Sequence, residues 1–233
     1  MNQEKRRIFL IQELLKKNSL YLDIPRWEYN QKELLKSLLF TCQNTRVSWY
    51  FLWIQNMYLK KEQKGKKEID LSMLKGNGCD LFIFKGDIAL LKCDSIVCGY
   101  NPDIISKAGI QLRYQFEKNK INTGQVKICS GYNLKSRYCM RTKGPEVKKE
   151  VKQKHKDELT MCYKNALKLA DRKSLKSIAF YMTSESEIPN DIACAIACRT
   201  VKEYKESTKS PIKVIFCIER DMEEILYTAY MNG

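Results

Sequence analysis

The sequence predicts an α/β fold in which helices cover both faces of a mixed, mostly parallel sheet, after a helical N-terminal region. Three observations support this fold class. Short apolar runs that end in Gly, Asn or Pro are typical of buried strands, and they begin at Leu81. From there they alternate with longer segments of helical periodicity, which is the pattern of a three-layer α/β sandwich. Residues 1–62 show helical periodicity alone.

Three helices are predicted in the N-terminal region. Asn30 and Glu33 have the spacing of a capping box and are expected to open the second helix. The tryptophans of this region, Trp27, Trp49 and Trp53, are expected in the core and not on a binding surface. Because an amphipathic helix buries its apolar stripe, the three helices are expected to pack against the rest of the chain.

A charged segment, residues 60–67, is expected to be a linker. It divides the chain into a helical extension, residues 1–67, and a second domain, residues 68–233. In that second domain, strands are predicted at residues 81–84, 95–99, 125–129, 138–142, 177–182 and 213–218. Helices are predicted at residues 104–118, 156–169, 191–205 and 221–230.

Polar residues follow two of the predicted strands. Asp87 comes after strand 81–84, and Asn101 follows strand 95–99. Open α/β sheets place their ligands at the carboxyl ends of the strands. The sequence therefore predicts a ligand site at this edge of the sheet, without identifying the ligand.

The content of histidine and cysteine argues against several classes of active site. The single histidine, His155, lies in the charged run 148–156, so Ser-His-Asp, Cys-His and HExxH chemistry are not supported. None of the 10 cysteines forms a CxxC pair, and the closest two, Cys194 and Cys198, fall on one face of a helix. We expect reduced, mostly buried thiols, and no metal or cofactor; zinc held by cysteines distant in sequence is the minor alternative.

The net charge of +15 attracts anions of many kinds, including nucleic acids. A lysine-rich solvated surface explains the same charge and is the favoured interpretation, so nucleic acid is not favoured as a partner. No apolar run is long enough to span a bilayer, and the polar N-terminus is followed by no signal-peptide core. The expectation is a cytoplasmic protein without a membrane partner.

Two segments resemble a known family. The order GDI, an apolar strand, an Asn-containing loop, AGIQLR and TGQVKICSGYNLKSRYCMRTKGP resembles the macrodomain, a fold that recognises ADP-ribose, over residues 80–231. The N-terminal region resembles the extension of the microbial zinc-containing macrodomains, which are protein-ADP-ribose hydrolases. The residues that carry this second resemblance are Leu38, Leu39, Asn44, Arg46, Phe51, Leu52, Gln55, Tyr58 and Leu59. Together the segments imply a three-layer α/β/α macrodomain-like sandwich with a mixed central sheet, preceded by an α-helical extension.

The resemblance implies five ligand-binding residues. Asp87 matches the family aspartate that accepts a hydrogen bond from the adenine amino group, and Ile88 is its neighbour whose backbone helps. Asn101 matches the second Asn of a motif that reaches the distal ribose, while Cys98 replaces the first. The strand end that lines the adenine pocket is formed by Cys217 and Ile218, although Asn is usual at the position of Cys217.

The chain departs from the family at the metal loop. The zinc-containing macrodomains carry metal-binding cysteines and a histidine in a long loop after the Asn pair. Here Asn101 is followed almost directly by Ala108, and the segment between them holds no Cys or His. The resemblance therefore implies neither a zinc site nor a catalytic residue in this chain.

The second phosphate loop is also altered. Macrodomains have a Gly-rich turn there, because backbone N–H groups approach a diphosphate only where side chains are absent. The corresponding segment has no glycine and two carboxylates, which repel a diphosphate. Acid/base catalysis by those two carboxylates is an alternative. The altered loop comprises Ser184, Glu185, Ser186, Glu187 and Ile188.

The leading hypothesis is a divergent macrodomain that binds ADP-ribose, another adenine nucleotide or an ADP-ribosylated protein and has lost hydrolase chemistry. One alternative is an active hydrolase that removes ADP-ribose from protein side chains. A second alternative is a basic protein that binds RNA or poly(ADP-ribose), which requires lysines clustered on one face.

Overall fold

A computed structural model describes residues 1–42, 46–181 and 188–232. The chain begins with three helices, α1 (Gln3–Lys17), α2 (Glu28–Thr41) and α3 (Trp49–Gln63). The first half of the sheet region contains β1 (Lys75–Gly76), β2 (Leu81–Lys85), β3 (Ser95–Cys98), α4 (Pro102–Ala108), α5 (Ile110–Lys118), β4 (Val126–Ser130) and β5 (Tyr138–Thr142). The second half contains α6 (Gln153–Arg172), β6 (Ser177–Tyr181), α7 (Asn190–Thr208), β7 (Lys213–Ile218) and α8 (Asp221–Asn232).

The strands form one mixed sheet in the order β1-β2-β7-β6-β3-β5-β4. The five strands from β2 to β5 in that order run parallel, and β1 and β4 are antiparallel at the two edges. Strands β3 and β6 are buried throughout, as expected where helices cover both faces of a parallel sheet. The sheet and the preceding helices confirm the predicted fold class.

Side chains alternate between two cores along each central strand. Val97, Phe180 and Phe216 point into the core that contains α6 and α7. Their neighbours Ile96 and Ala179 belong to the core on the opposite face, which contains α4 and α5. The two cores and the sheet between them make the three layers.

The helical extension packs on α5 through a third core, to which Ile110 contributes. The side chain of Gln55 is fully buried there: its Oε1 accepts from the Ile110 N–H at 2.9 Å, and its Nε2 donates to Gln111 Oε1 at 2.7 Å. Arg113 adds a hydrogen bond to the Leu39 carbonyl at 3.3 Å. The extension therefore contacts the sheet region through polar groups as well as apolar ones. The division at residue 67 stays a prediction.

The predicted helix 104–118 is wrong as a single element, because Gly109 separates α4 from α5. Its φ of +99° is strained for any residue with a side chain. A Cβ at this position would lie 2.4 Å from Nε2 of the buried Gln55. The break therefore provides the room into which the extension packs.

Two further predictions in the extension are wrong at the helix ends. Helix α2 begins at Glu28, and Trp27 is its N-cap without a side-chain hydrogen bond, so Asn30 and Glu33 lie inside the helix. Helix α3 continues to Gln63, so the first half of the charged segment 60–67 is helical and not linker. These charged residues do not stop either helix, because Lys, Glu and Gln have high helix propensity and the acidic Glu28 is favoured in the first turn of α2.

The prediction that the tryptophans lie in the core is also wrong. Trp27 and Trp49 are each 76% exposed, and Trp53 is 50% exposed. On α3 the buried face is occupied by other apolar residues, among them Phe51 and Ile54. A helix with apolar residues on two sides can bury only one of them, and Trp49 and Trp53 lie on the other side of α3. Trp27 stands before α2 as its exposed N-cap.

The cysteines behave as expected for small buried side chains. Eight of the ten are buried, Cys129 is half-buried and Cys79 is exposed. In the part of the chain that the structure describes, none of the helices is both long and apolar enough to cross a bilayer.

Candidate functional site

The predicted site lies where the parallel strands end. Lys85 is the register partner of Ile218 at the ends of β2 and β7, and Cys98 is the partner of Tyr181 at the ends of β3 and β6. The residues that follow these ends meet at one edge of the sheet. Asp87 follows β2 there.

Asp87 has a structural role at this edge. Its Oδ1 accepts from the Ala89 N–H at 3.1 Å and so caps a 3₁₀ turn, Ile88–Leu90. The same oxygen lies 3.0 Å from Lys107 Nζ, and Oδ2 lies 3.7 Å from Lys66 Nζ. Partial burial opposes ionisation, but Lys107, the Ala89 N–H and Lys66 outweigh it and hold the pKa of Asp87 below its usual value. The carboxylate is therefore ionised at neutral pH.

Lys107 joins two carboxylates. Its Nζ donates to Asp103 Oδ2 at 2.6 Å as well as pairing with Asp87. Desolvation disfavours the ammonium, but the two carboxylates outweigh that cost and raise the pKa of Lys107. Lys36 of α2 donates to Asp103 Oδ1 at 3.3 Å. A chain of opposite charges thus links the extension to the sheet edge.

Asn101 is the N-cap of α4. Its Oδ1 accepts from the N–H groups of Asp103 at 2.8 Å and Ile104 at 3.1 Å, and Pro102 follows in the first turn, where proline is favoured. Only residues 99–101 separate β3 from α4. The amide oxygen of Asn101 is therefore engaged, and the connection has no room for a long loop.

The other predicted ligand residues belong mainly to the core. Ile88, Cys217 and Ile218 are all buried, and Ile88 and Cys217 lie in the same core cluster below the edge. Burial raises the pKa of the Cys217 thiol well above its usual value, so it is not a thiolate nucleophile. These residues can supply an apolar floor to a ligand at the edge.

The altered phosphate loop is described only at its end. Ile188 is buried and packs into the core beside α6 and α7. The remaining residues of the predicted loop lie outside the described part of the chain: Ser184, Glu185, Ser186 and Glu187.

A tyrosine and a glutamate at the same edge are functional candidates that the sequence reasoning missed. Tyr181, the last residue of β6, donates its hydroxyl to Glu219 Oε1 at 2.7 Å. Burial and the Glu219 carboxylate raise the pKa of Tyr181 strongly. Tyr181 ends β6 and Glu219 directly follows β7, so the strand-end argument that singled out Asp87 applies to them too.

A cleft of about 410 Å³ opens between the extension and the sheet edge at Asp87. This volume falls in the range of small-molecule sites. Tyr58 and Leu59 of α3 line its apolar part. Its charged lining is balanced between four lysines and four carboxylates: Lys32, Lys36, Lys66, Lys107, Glu33, Glu62, Asp87 and Asp103.

The donor set at the edge does not fit zinc. Segment 102–108 offers one acidic side chain, Asp103, which is paired with Lys107 and Lys36. Across the described ranges, no three His, Cys, Asp or Glu side chains are grouped to hold a metal ion. The single histidine, His155, lies in the first turn of α6, where its Nδ1 accepts from the Lys152 N–H at 3.2 Å.

Comparisons with known proteins give consistent matches. A family model described as Macro domain matches residues 102–208. The chain is 33% identical to a protein-ADP-ribose hydrolase of Treponema medium over 100% of both chains. It is 35% identical to a protein-ADP-ribose hydrolase of Staphylococcus aureus (strain MRSA252) over 70% of each chain. The crystal structure of the GDAP2 macro domain is similar with a TM-score of 0.63 and 27% identity, over 70% of this chain and 94% of that one.

Proposed function

Because the chain belongs to the macrodomain family, we propose that it binds ADP-ribose or a related adenine nucleotide at the carboxyl edge of its sheet. We propose further that it binds ADP-ribosylated protein without removing the modification. The relatives from Treponema medium and Staphylococcus aureus are named protein-ADP-ribose hydrolase. The proposed ligand, an ADP-ribosylated protein, follows from those relatives. We propose that the hydrolytic chemistry does not.

The short connection between β3 and α4 is the observation that supports binding without hydrolysis. In the zinc-containing macrodomains that this chain resembles, the metal ligands lie in the loop after the Asn pair. Here α4 begins immediately after Asn101, whose oxygen caps the helix. A hydrolytic site needs a group that positions or deprotonates water. Asp87 and Asp103 are held by Lys107, and Glu219 is held by Tyr181.

The adenine end of the site supports binding. A carboxylate can accept several hydrogen bonds, and among the described residues Oδ2 of Asp87 has one long contact, 3.7 Å to Lys66. It can therefore accept from the exocyclic amine of adenine while Oδ1 caps its turn. Ile88 follows Asp87, Cys217 and Ile218 end the neighbouring strand β7, and the amide nitrogen of Asn101 can donate to a ribose hydroxyl.

The phosphate end is expected to limit the affinity. Glu185 and Glu187 place two carboxylates in a sequence segment that has no glycine where the family has a Gly-rich one. Repulsion of a diphosphate by such charges costs on the order of a few kcal/mol in a partly desolvated site, or about a hundredfold in affinity. We therefore expect micromolar binding of ADP-ribose and not tighter.

Isothermal titration with ADP-ribose and with ADP tests the binding. The expected result is a micromolar dissociation constant that Asp87→Ala weakens by about tenfold or more, because the adenine amine loses its acceptor. Asp70→Ala is the matched control, since Asp70 caps another 3₁₀ turn by accepting from the Ser72 N–H at 3.5 Å. No heat from the wild-type chain at millimolar ligand would end the proposal that ADP-ribose binds.

An active hydrolase is the second candidate. It is favoured by the similarity to the Treponema medium hydrolase, which spans the whole of both chains. Incubation with mono-ADP-ribosylated protein, with and without added zinc, separates the two candidates. We expect no release of ADP-ribose above the uncatalysed background in either condition. Release that Glu185→Gln or Glu187→Gln abolishes would establish the hydrolase and assign it to those carboxylates.

A further inference from the structure

The exposed side of α3 carries one continuous row of side chains. Spacings of three and four residues place Trp49, Trp53, Met57, Lys60 and Lys64 along the same side of the helix, ending at its C-cap. All five residues are exposed. At 1.5 Å per residue the row is about 22 Å long. We call these five residues the α3 row.

Aromatic rings form the first half of the α3 row. Tyr50, which is also exposed, is stacked with Trp53 at a centroid distance of 5.9 Å and lies edge-on to Trp49 at 5.9 Å. Phe9 of α1 contacts Tyr50 edge-on at 5.4 Å. The rings thus orient one another while both tryptophans keep half or more of their surface exposed. Such rings offer π faces to a planar ligand.

Positive charge surrounds the second half of the row. A surface cavity of about 600 Å³ is lined there by five cations: Arg6, Lys60, Lys61, Lys64 and Lys135. Lys135 pairs with Glu68 at 2.6 Å. The one carboxylate in residues 49–64, Glu62, is engaged elsewhere by Lys32 at 3.0 Å and by Gln3 at 2.9 Å. The row itself therefore carries aromatic and basic groups and no acidic one.

We propose that the α3 row binds a single-stranded nucleic acid, with bases stacked on the tryptophans and phosphates held by the lysines. Stacking on aromatic rings beside a basic groove is how single strands are bound without sequence preference. A duplex does not fit this chemistry, because its bases are already stacked on one another. The proposal is independent of the sheet-edge site.

A membrane surface is the competing occupant for a row of tryptophans and lysines. A helix that lies on a membrane inserts a broad apolar face, with its lysines on the polar side. The broad apolar face of α3, which includes Phe51, Ile54 and Tyr58, is buried inside the protein. The exposed part of α3 is a narrow row in which the lysines follow the tryptophans along the helix axis. Such a row matches an extended polymer that carries both bases and phosphates.

Fluorescence anisotropy of the full chain with a fluorescein-labelled oligouridine of about twelve nucleotides tests the proposal. With four phosphate contacts, from Arg6, Lys60, Lys61 and Lys64, affinity should fall about 50-fold between 50 and 200 mM salt. Lys60→Glu with Lys64→Glu should weaken binding and reduce the logarithmic salt slope by about 1.4. Trp49→Ala and Trp53→Ala should each weaken binding by about fivefold or more.

Matched control variants test whether binding depends on the α3 row or only on the net charge of the chain. Lys164→Glu with Lys168→Glu makes the same charge change at the same spacing on exposed positions of α6, and should leave the salt slope unchanged. Trp27→Ala removes an equally exposed tryptophan from α2 and should leave affinity unchanged. Far-UV circular dichroism verifies that each variant is folded.

Four results would overturn the proposal. These are no binding of the oligouridine by the wild-type chain at 50 mM salt, an equal loss in both lysine pairs, unchanged affinity in both α3 tryptophan variants, and displacement of the oligouridine by ADP-ribose. Anionic lipid vesicles form the last arm. Capture by vesicles that depends on the α3 row, with no affinity for oligouridine, would assign the row to membranes.

Discussion

Replacing Gln55 with leucine should weaken the docking of the helical extension. The first N–H groups of a helix have no partner within it, and the N–H of Ile110, the first residue of α5, is satisfied by Gln55 Oε1 at 2.9 Å. Both residues are fully buried. Gln55→Leu keeps the approximate volume but leaves the Ile110 N–H without this acceptor.

The expected cost follows from that orphaned donor. A buried polar group without a partner costs about 1 to 3 kcal/mol, and the Nε2 bond to Gln111 adds little because Gln111 is only half-buried and can turn to water. A loss of about 2 kcal/mol lowers the Tm of a chain of this size by about 4 to 8 °C.

Thermal unfolding monitored by circular dichroism measures this shift. Gln12→Leu on α1 is the control, because Gln12 is exposed, and it should change stability by no more than about 0.5 kcal/mol. A Tm for Gln55→Leu that matches the control would refute the reasoning. It would mean that the Ile110 N–H finds another partner or that the extension is not held at this point.

Three further predictions concern single residues. Gly109→Ala should lower the free energy of unfolding in urea by about 2 to 4 kcal/mol, since φ is +99° and the new Cβ meets Gln55 at 2.4 Å. An unchanged urea midpoint would show that Gln55 can move aside. Phe51→Ala should cost about 3 to 5 kcal/mol, because Phe51 is fully buried in the extension core, and a loss below 1 kcal/mol would contradict that packing. The pKa of Asp87 in the folded chain lies below its ordinary value of 3.8, so the stabilisation by this carboxylate is present above pH 3.8 and is lost as the pH falls through the folded pKa. The acid unfolding curve of Asp87→Asn should lack this contribution. Identical acid unfolding curves of the wild type and Asp87→Asn would contradict the prediction.

The strands could be predicted because their signal is local. Residues 213–218 form an apolar run closed by polar residues, and β7 has these bounds. Alternation of such runs with helical periods is enough to specify the layers. The helix break at Gly109 was not predicted, because a local pattern does not show that Gln55, a residue of a different helix, occupies the space beside Gly109.

The position of the candidate residues at the sheet edge was predictable, but their contacts were not, and their role as a ligand site stays a prediction. Strand ends identified Asp87 and Asn101, because parallel strands bring their carboxyl ends to one edge. The partners of Asp87, Lys66 and Lys107, come from other parts of the chain, and no spacing rule connects them. The exposed side of α3 could not be assigned either, since periodicity does not decide which of two apolar sides is buried.

Retention of a mono-ADP-ribosylated protein on the immobilised chain tests the central claim most directly, because binding and hydrolysis are measured together. The bound and free forms of the label are quantified with and without zinc. We expect that the wild-type chain retains the modified protein, that free ADP-ribose elutes it with the modification intact, and that Asp87→Ala retains less. Free ADP-ribose in the flow-through above background, or no retention of the modified protein, would contradict it.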